Sequence, residues 1–146
     1  MYGRILVALD GSHVSQRGLR EAIALAQTLG AQLRLMHVVT NAPWTSHTLP
    51  TEEGEQLIAE LRSTGECILH EGMQVARNAG IPADRCLIEA LGRRAGECIV
   101  AEARSWPAEL IVCGAHGRRS SGHLGGGDAQ YLMRNSPVPV LMVSSA

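Results

Sequence analysis

The sequence predicts an α/β domain built on a parallel sheet with helices on both faces, and three observations carry that prediction. Five short apolar runs alternate with segments whose apolar residues recur every three or four positions. Most of the runs are continuous rather than alternating, as in strands buried on both faces. A length of 146 residues, with 45% hydrophobic content and a formal net charge of -1, suits a single domain over 1–146, undivided by a linker or internal repeat. Strands alternating with helices imply right-handed crossovers and a doubly covered sheet.

The elements follow in order. Arg4 to Asp10 is the first apolar strand, ending in Asp10-Gly11-Ser12, a turn and cap sequence. Ser12 or Ser15 then caps a helix whose Leu19, Ala22, Ile23, Ala26 and Leu29 share a face, with Gly30 as its stop. Leu33 to Val39 is the second strand. Asn41 to Thr51, carrying Pro43, Trp44 and Pro50, reads as a loop, and Glu52 and Glu53 favour the positive end of the helix after it. Leu57, Leu61, Thr64, Ile68, Gly72, Val75 and Ala79 line one side of that helix. Gly80-Ile81-Pro82 breaks it, and Arg85 to Leu91 is a third, more polar strand suited to a position near a sheet edge. A helix over Arg93 to Arg104 shows Ala95, Cys98, Ile99 and Ala103 on one face and ends at Trp106-Pro107. Leu110 to Cys113 is the fourth strand, Asp128 to Arg134 a short last helix, and Val138 to Val143 the fifth strand.

Composition narrows the chemistry. All 13 basic residues are arginine, so a P-loop lysine, a Schiff-base lysine and the lysine of a phospho-receiver domain are excluded. Arg93-Arg94 and Arg118-Arg119 are isolated pairs, too few for a nucleic-acid surface. Cys67, Cys86, Cys98 and Cys113 form no C-x-x-C pair, and the six histidines never fall at H-x3-H spacing, so no metal site is predicted. No apolar run approaches the roughly 20 residues of a membrane span, and MYGRILVALD lacks a signal-peptide layout, which makes the cytoplasm the expected compartment.

The specific chemistry lies between the last two strands. Gly114, Gly117 and Gly127 form G-x2-G-x9-G, a loop that leaves a buried strand and gives its last glycine to a helix start. Such a loop brings backbone N–H groups close to a phosphate, and the helix N-terminus contributes about half a positive charge. Glycine also serves simple turns, so position between strand and helix is what gives the spacing weight. In parallel sheets ligands sit beyond the carboxyl ends of the strands where the winding reverses, and Asp10 and Gly114 both lie at such ends. Asp10 also suits a plain turn into a helix. It is one of only three aspartates, with Asp84 and Asp128, and two of these flank the proposed crevice. His116 and His123 are loop histidines without an assigned role.

RILVALDGSHVS, LRLMHVV, ELIVCGAHGRR and NSPVPVLMV together resemble the universal stress protein family over nearly the whole chain. The resemblance implies a sheet order of 3-2-1-4-5, as in adenine nucleotide alpha hydrolase-like folds, and a homodimer paired through the last strands. The sequence agrees that Pro137-Val138-Pro139-Val140 makes an apolar edge in need of cover. It further implies a regulatory protein that binds an adenine nucleotide, ATP with Mg²⁺ being the form expected. Carried over by position, Asp10 stands at the ribose with Ala8 and Leu9 beside it, and Val38 meets the adenine through its backbone. Gly114, Gly117 and Arg118 surround the phosphates, and Gly127 with the N–H groups of Asp128 and Ala129 completes the cradle.

Asp128 departs from the ATP-binding pattern, which has a hydroxyl there. As a cap, Asp128 is expected to accept from the N–H groups of Gln130 or Tyr131, the donors a phosphate would use. A carboxylate about 4 Å from a phosphate oxygen at an effective dielectric near 20 costs up to about 4 kcal/mol, about a thousandfold in affinity. Arg118, Arg119 or a Mg²⁺ ion offsets part of that. The alternative reading is a dimeric interaction module that binds no nucleotide because Asp128 caps its own helix. No convincing general base is present, so no catalytic residue is assigned and any ATP hydrolysis is expected to be slow. The adenylyl-transfer signatures S-G-G-x-D-S and H-I-G-H are absent.

Overall fold

The computed structural model describes residues 1–40, 52–90, 92–115 and 126–144. Five parallel strands form one sheet in the order β3-β2-β1-β4-β5, the arrangement the family resemblance implies. The elements run β1 (Arg4–Ala8), α1 (His13–Leu29), β2 (Gln32–Thr40), α2 (Glu52–Asn78), β3 (Ala83–Ala90), α3 (Ala95–Ser105), β4 (Leu110–Ala115), α4 (Gly126–Asn135) and β5 (Val140–Ser144).

Side chains along the central strands alternate between two apolar layers. Ile5, Val7 and Leu9 pack with Leu19, Ala22, Ile23, Leu69 and Ala76 on the α1–α2 side. Leu6 and Ala8 pack with Met36, Val38, Cys98, Ile99 and Leu132 on the α3–α4 side. Each fully buried Leu, Ile or Val contributes about 1.5–3 kcal/mol, so β1, enclosed on both faces, anchors the sheet.

Boundaries shift where local chemistry decides them. β3 begins at Ala83 rather than Arg85, because pairing with β2 starts at Leu33↔Ala83 and Leu33 N already donates to Pro82 O at 2.9 Å. It is an edge strand, as its polarity predicts. β5 begins at Val140, beyond Pro139, which has no N–H for the ladder but still accepts from Ile111 N at 3.0 Å. Ser12, not Ser15, caps α1, its Oγ accepting from Ser15 N at 3.1 Å.

One polar cluster fixes α3 at the end of the sheet opposite the strand carboxyl ends. Arg34 of β2 donates to both oxygens of Asp84 on β3, at 2.8 and 2.9 Å, and to Glu102 of α3 at 2.8 Å. Its guanidinium also lies 4.7 Å from the ring centre of Trp106. These contacts tie the carboxyl-terminal half of α3 to the sheet and thereby aim the helix's N-terminus at the other end.

Candidate functional site

The winding direction reverses between β1 and β4, which pair in parallel through Ile5↔Leu110, Leu6↔Ile111 and Val7↔Val112. β1 ends there in a tightly bonded turn. Leu9 N donates to Met36 O at 2.8 Å, carrying the contact with β2 one residue beyond the strand. Asp10 Oδ1 accepts from Ser12 N at 2.9 Å, and Asp10 N donates to the buried Ser15 Oγ at 3.3 Å. Gly11 supplies the positive φ of 84° that the turn requires. Asp10 therefore holds the turn into α1 while its carboxyl group stands at the mouth of the crevice.

Ala8, Leu9, Asp10 and Val38, four of the residues predicted to share a site, converge. With Met36, Ala95 and Ile99 they enclose a hollow of about 10 Å³ between the ends of β1 and β2 and the start of α3. That is the volume of about one water and forms the floor of a crevice. A larger hollow of about 230 Å³ lies on the other face of the sheet between α1 and α2, lined by Leu9, Leu19, Ile68 and Val75 among others. Gly11, Ser15, Gln16 and Arg20 at the start of α1 line it as well, but of Ala8, Leu9, Asp10 and Val38 only Leu9 reaches it.

The two described glycines of the predicted loop play different parts. A Cβ on Gly114 would stand 2.6 Å from Val14 Cγ1 and 2.8 Å from Ser15 N, so this glycine lets the first turn of α1 pack on β4. Among the described residues, a Cβ on Gly127 would meet only Arg94 Nη1, at 3.9 Å. Packing against the described residues does not require glycine at 127, and they leave the start of α4 uncovered on that side. Gly117 and Arg118 lie outside the described residues, as do Arg119, His116 and His123.

Asp128 behaves differently from its sequence expectation. α4 starts at Gly126, two residues before the predicted start, which puts Asp128 inside the first turn. Its Oδ1 accepts from Gly96 N of α3 at 3.1 Å. The expected bonds to Gln130 or Tyr131 do not occur among the described residues. The physical reason lies in α3, whose N-cap residue is Arg94 and provides no side-chain capping bond. An unsatisfied N–H of that helix therefore takes its acceptor from the neighbouring helix. Ala129, next along α4, is half-buried.

Sequence reasoning missed the start of α3 as part of the site. Arg94, Ala95 and Gly96 bring a second helix N-terminus to the crevice, Ala95 lining the hollow and Gly96 binding Asp128. The available signal was an arginine in a cap position followed by two small residues. The buried His37 was also missed; its Nδ1 lies 2.7 Å from Leu9 O, which it braces from the α2 side. No group of three or more His, Cys, Asp or Glu side chains among the described residues is placed to hold a metal ion.

Comparison with known proteins gives a consistent result. A family model described as the universal stress protein family matches residues 1–144. A universal stress protein of Methanocaldococcus jannaschii is 32% identical over 145 residues, covering 98% of this chain and 82% of that protein. One from Bacillus subtilis is 30% identical over 150 residues, covering 98% of this chain and 99% of its own. Among solved structures, a universal stress family protein of Burkholderia pseudomallei superposes with a TM-score of 0.78 at 27% identity, covering 97% of this chain and 96% of its own. Three more distant structures share the fold and are described as complexes. One holds cAMP (TM-score 0.72, 23% identity, covering 99% of each chain). One from Archaeoglobus fulgidus holds dAMP (0.69, 22%, covering 97% of this chain and 98% of that one). One from Arabidopsis thaliana holds AMP (0.68, 14%, covering 98% and 92%).

Proposed function

Because this chain belongs to the universal stress protein family, we propose that it is a regulatory protein that binds an adenine nucleotide beyond the carboxyl ends of β1 and β4. Adenine lies against the backbone at Val38 and the ribose at Asp10, with Ala8 and Leu9 forming the floor. The phosphate end runs past Gly114 to Gly127 and the N–H groups of Asp128 and Ala129, with Gly117 and Arg118 of the intervening loop around it. The observation that carries this reading is the first turn of α4, which the described residues leave uncovered. Its N–H groups have no partner within the helix, Gly127 leaves space beside them, and Asp128 links that turn through Gly96 to the wall of the Asp10–Val38 hollow. The three related folds that hold AMP, dAMP and cAMP support the choice of ligand class.

ATP with Mg²⁺ falls within this class. The metal would arrive on the nucleotide, and Asp128 offers it a hard oxygen donor. Calorimetric titration of the purified protein with AMP, cAMP and Mg·ATP tests the reading, with micromolar binding of at least one as the expected result. The absence of binding by all three at millimolar concentration would overturn it.

The second reading, an interaction module closed by Asp128, loses its original basis, since the carboxylate engages α3 and not its own helix. The protein is further proposed to pair through β5, an edge strand that exposes Leu141 at 37%. Light scattering after size exclusion checks this: a monomer at micromolar concentration would refute it.

A further inference from the structure

Two helix N-termini meet at the crevice, and the protein has already filled one of them with its own anion. α3 begins without a side-chain cap from its N-cap residue, and its Gly96 N–H receives the Asp128 carboxylate at 3.1 Å. Ala95, the preceding residue, lines the hollow under the proposed ribose position. α4 begins at Gly126, and beside its Gly127 only the Arg94 guanidinium approaches among the described residues, at 3.9 Å from where a Cβ would stand. One helix start is thus occupied by a carboxylate, and the other is left uncovered by the described residues.

Resting on the nucleotide-binding reading above, we propose that Asp128 makes this crevice selective for adenine nucleotides with one phosphate, AMP or a cyclic monophosphate, over metal-free ATP. A single phosphoryl group needs one anion position, and the first turn of α4 supplies it. The added phosphoryl groups of ATP need further donors. The second helix start nearby is closed to them by an acceptor held in place by a hydrogen bond, so the carboxylate cannot move aside without leaving the Gly96 N–H unsatisfied. Asp128 also forms no ion pair with a described arginine. Each further ionised phosphoryl group therefore meets the negative charge of Asp128 at close range, where the interaction is strong.

The experiment compares Kd values for AMP, cAMP and ATP, measured in EDTA on the full chain, for the native protein, Asp128→Asn and Asp128→Ser. The native protein is expected to bind AMP at least about tenfold more tightly than ATP. Asp128→Asn keeps an acceptor for Gly96 N–H and removes the charge, so it should narrow that ratio by several fold. Asp128→Ser removes the charge and frees the donor, and should bring ATP to parity with AMP or beyond. A thermal melt on each variant confirms folding; if the serine variant does not fold, the asparagine variant carries the test alone. Native binding of ATP as tight as that of AMP, or a ratio unmoved by removing the charge, would overturn the selectivity while leaving the nucleotide site intact. No binding of any nucleotide by any variant would overturn the site itself.

Discussion

Gly114 and Gly127 belong to one sequence motif, yet the structure predicts opposite consequences for replacing them with alanine. At 114 the new Cβ would stand 2.6 Å from Val14 Cγ1 and 2.8 Å from Ser15 N. The second obstacle is backbone, in a turn pinned by the Ser12 cap and by the buried Ser15 hydroxyl, so it cannot yield by a rotamer change. Overpacking of this kind costs about 1–3 kcal/mol, and the rigid neighbour puts Gly114→Ala near the upper end. At 127 the nearest atom is the mobile tip of Arg94, at 3.9 Å, and alanine improves on glycine in a helix by up to about 1 kcal/mol. Urea unfolding followed by circular dichroism separates the two. With a slope of about 1–3 kcal/mol per molar urea, Gly114→Ala should lower the midpoint by about 1 M or more, and Gly127→Ala should hold or raise it. Titration with AMP should show the reverse order for function, Gly127→Ala losing about tenfold because its methyl group stands beside the phosphate position. Equal stability losses for the two variants, or a Gly114→Ala protein as stable as the parent, would refute the division of roles.

Three other outcomes follow from the same contacts. Arg34→Ala removes both salt bridges and the stacking on Trp106, leaving Glu102 at 15% side-chain exposure without its cation; a loss of about 1–3 kcal/mol by urea unfolding is expected, part of the pair being solvent-screened. Among the thiols, Cys67 alone is exposed, so a thiol-specific reagent should modify one group per native chain rapidly, and Cys67→Ser should abolish that fast phase. Burial pushes the thiols of Cys86 and Cys113 up from 9.0 to about 12, so the folded state keeps protons that the unfolded chain has lost. Their contribution to stability is complete below pH 9 and is lost as pH rises toward 12, which an unfolding series through the alkaline range should reveal as a steady decline.

The fold was legible because its determinants are local. RILVA and LIVCGA are continuous apolar runs that only a doubly covered strand accommodates, and α1 carries its buried face in its own periodicity. By contrast, α2 buries Leu69, Gly72 and Ala76 and leaves the predicted Thr64 and Val75 exposed, because its contact with the sheet runs one position away from the stripe read from the sequence. The strand order came through the family resemblance, since alternation alone fixes parallel pairing but not which strand adopts which neighbour. Within the site, Asp10 was found because it follows a strand that ends at the reversal, while Ala8 and Val38 came through the family resemblance. The role of Gly96 was not legible: it lies 32 residues from Asp128, and nothing in either segment specifies that α3 and α4 start side by side. The divergence of Gly114 from Gly127 was hidden for the same reason, because the clash that defines it comes from α1.

The bond to Gly96 also changes what a charged residue at 128 means for binding. A self-capping aspartate would compete with a ligand for the same N–H groups, and binding and closure would exclude one another. An aspartate that caps the adjacent helix leaves those donors available and contributes repulsion alone, a quantity that a cation can offset. Mg²⁺ should therefore strengthen ATP binding through Asp128 while leaving cAMP, which presents a single charge, nearly unaffected. Titrations in Mg²⁺ and in EDTA measure this directly. The gain for ATP should exceed about tenfold in the native chain and shrink in Asp128→Asn; an equal gain in both would place the metal away from Asp128. On this account one carboxylate sets both which nucleotide the crevice accepts and how far that choice depends on the metal it carries.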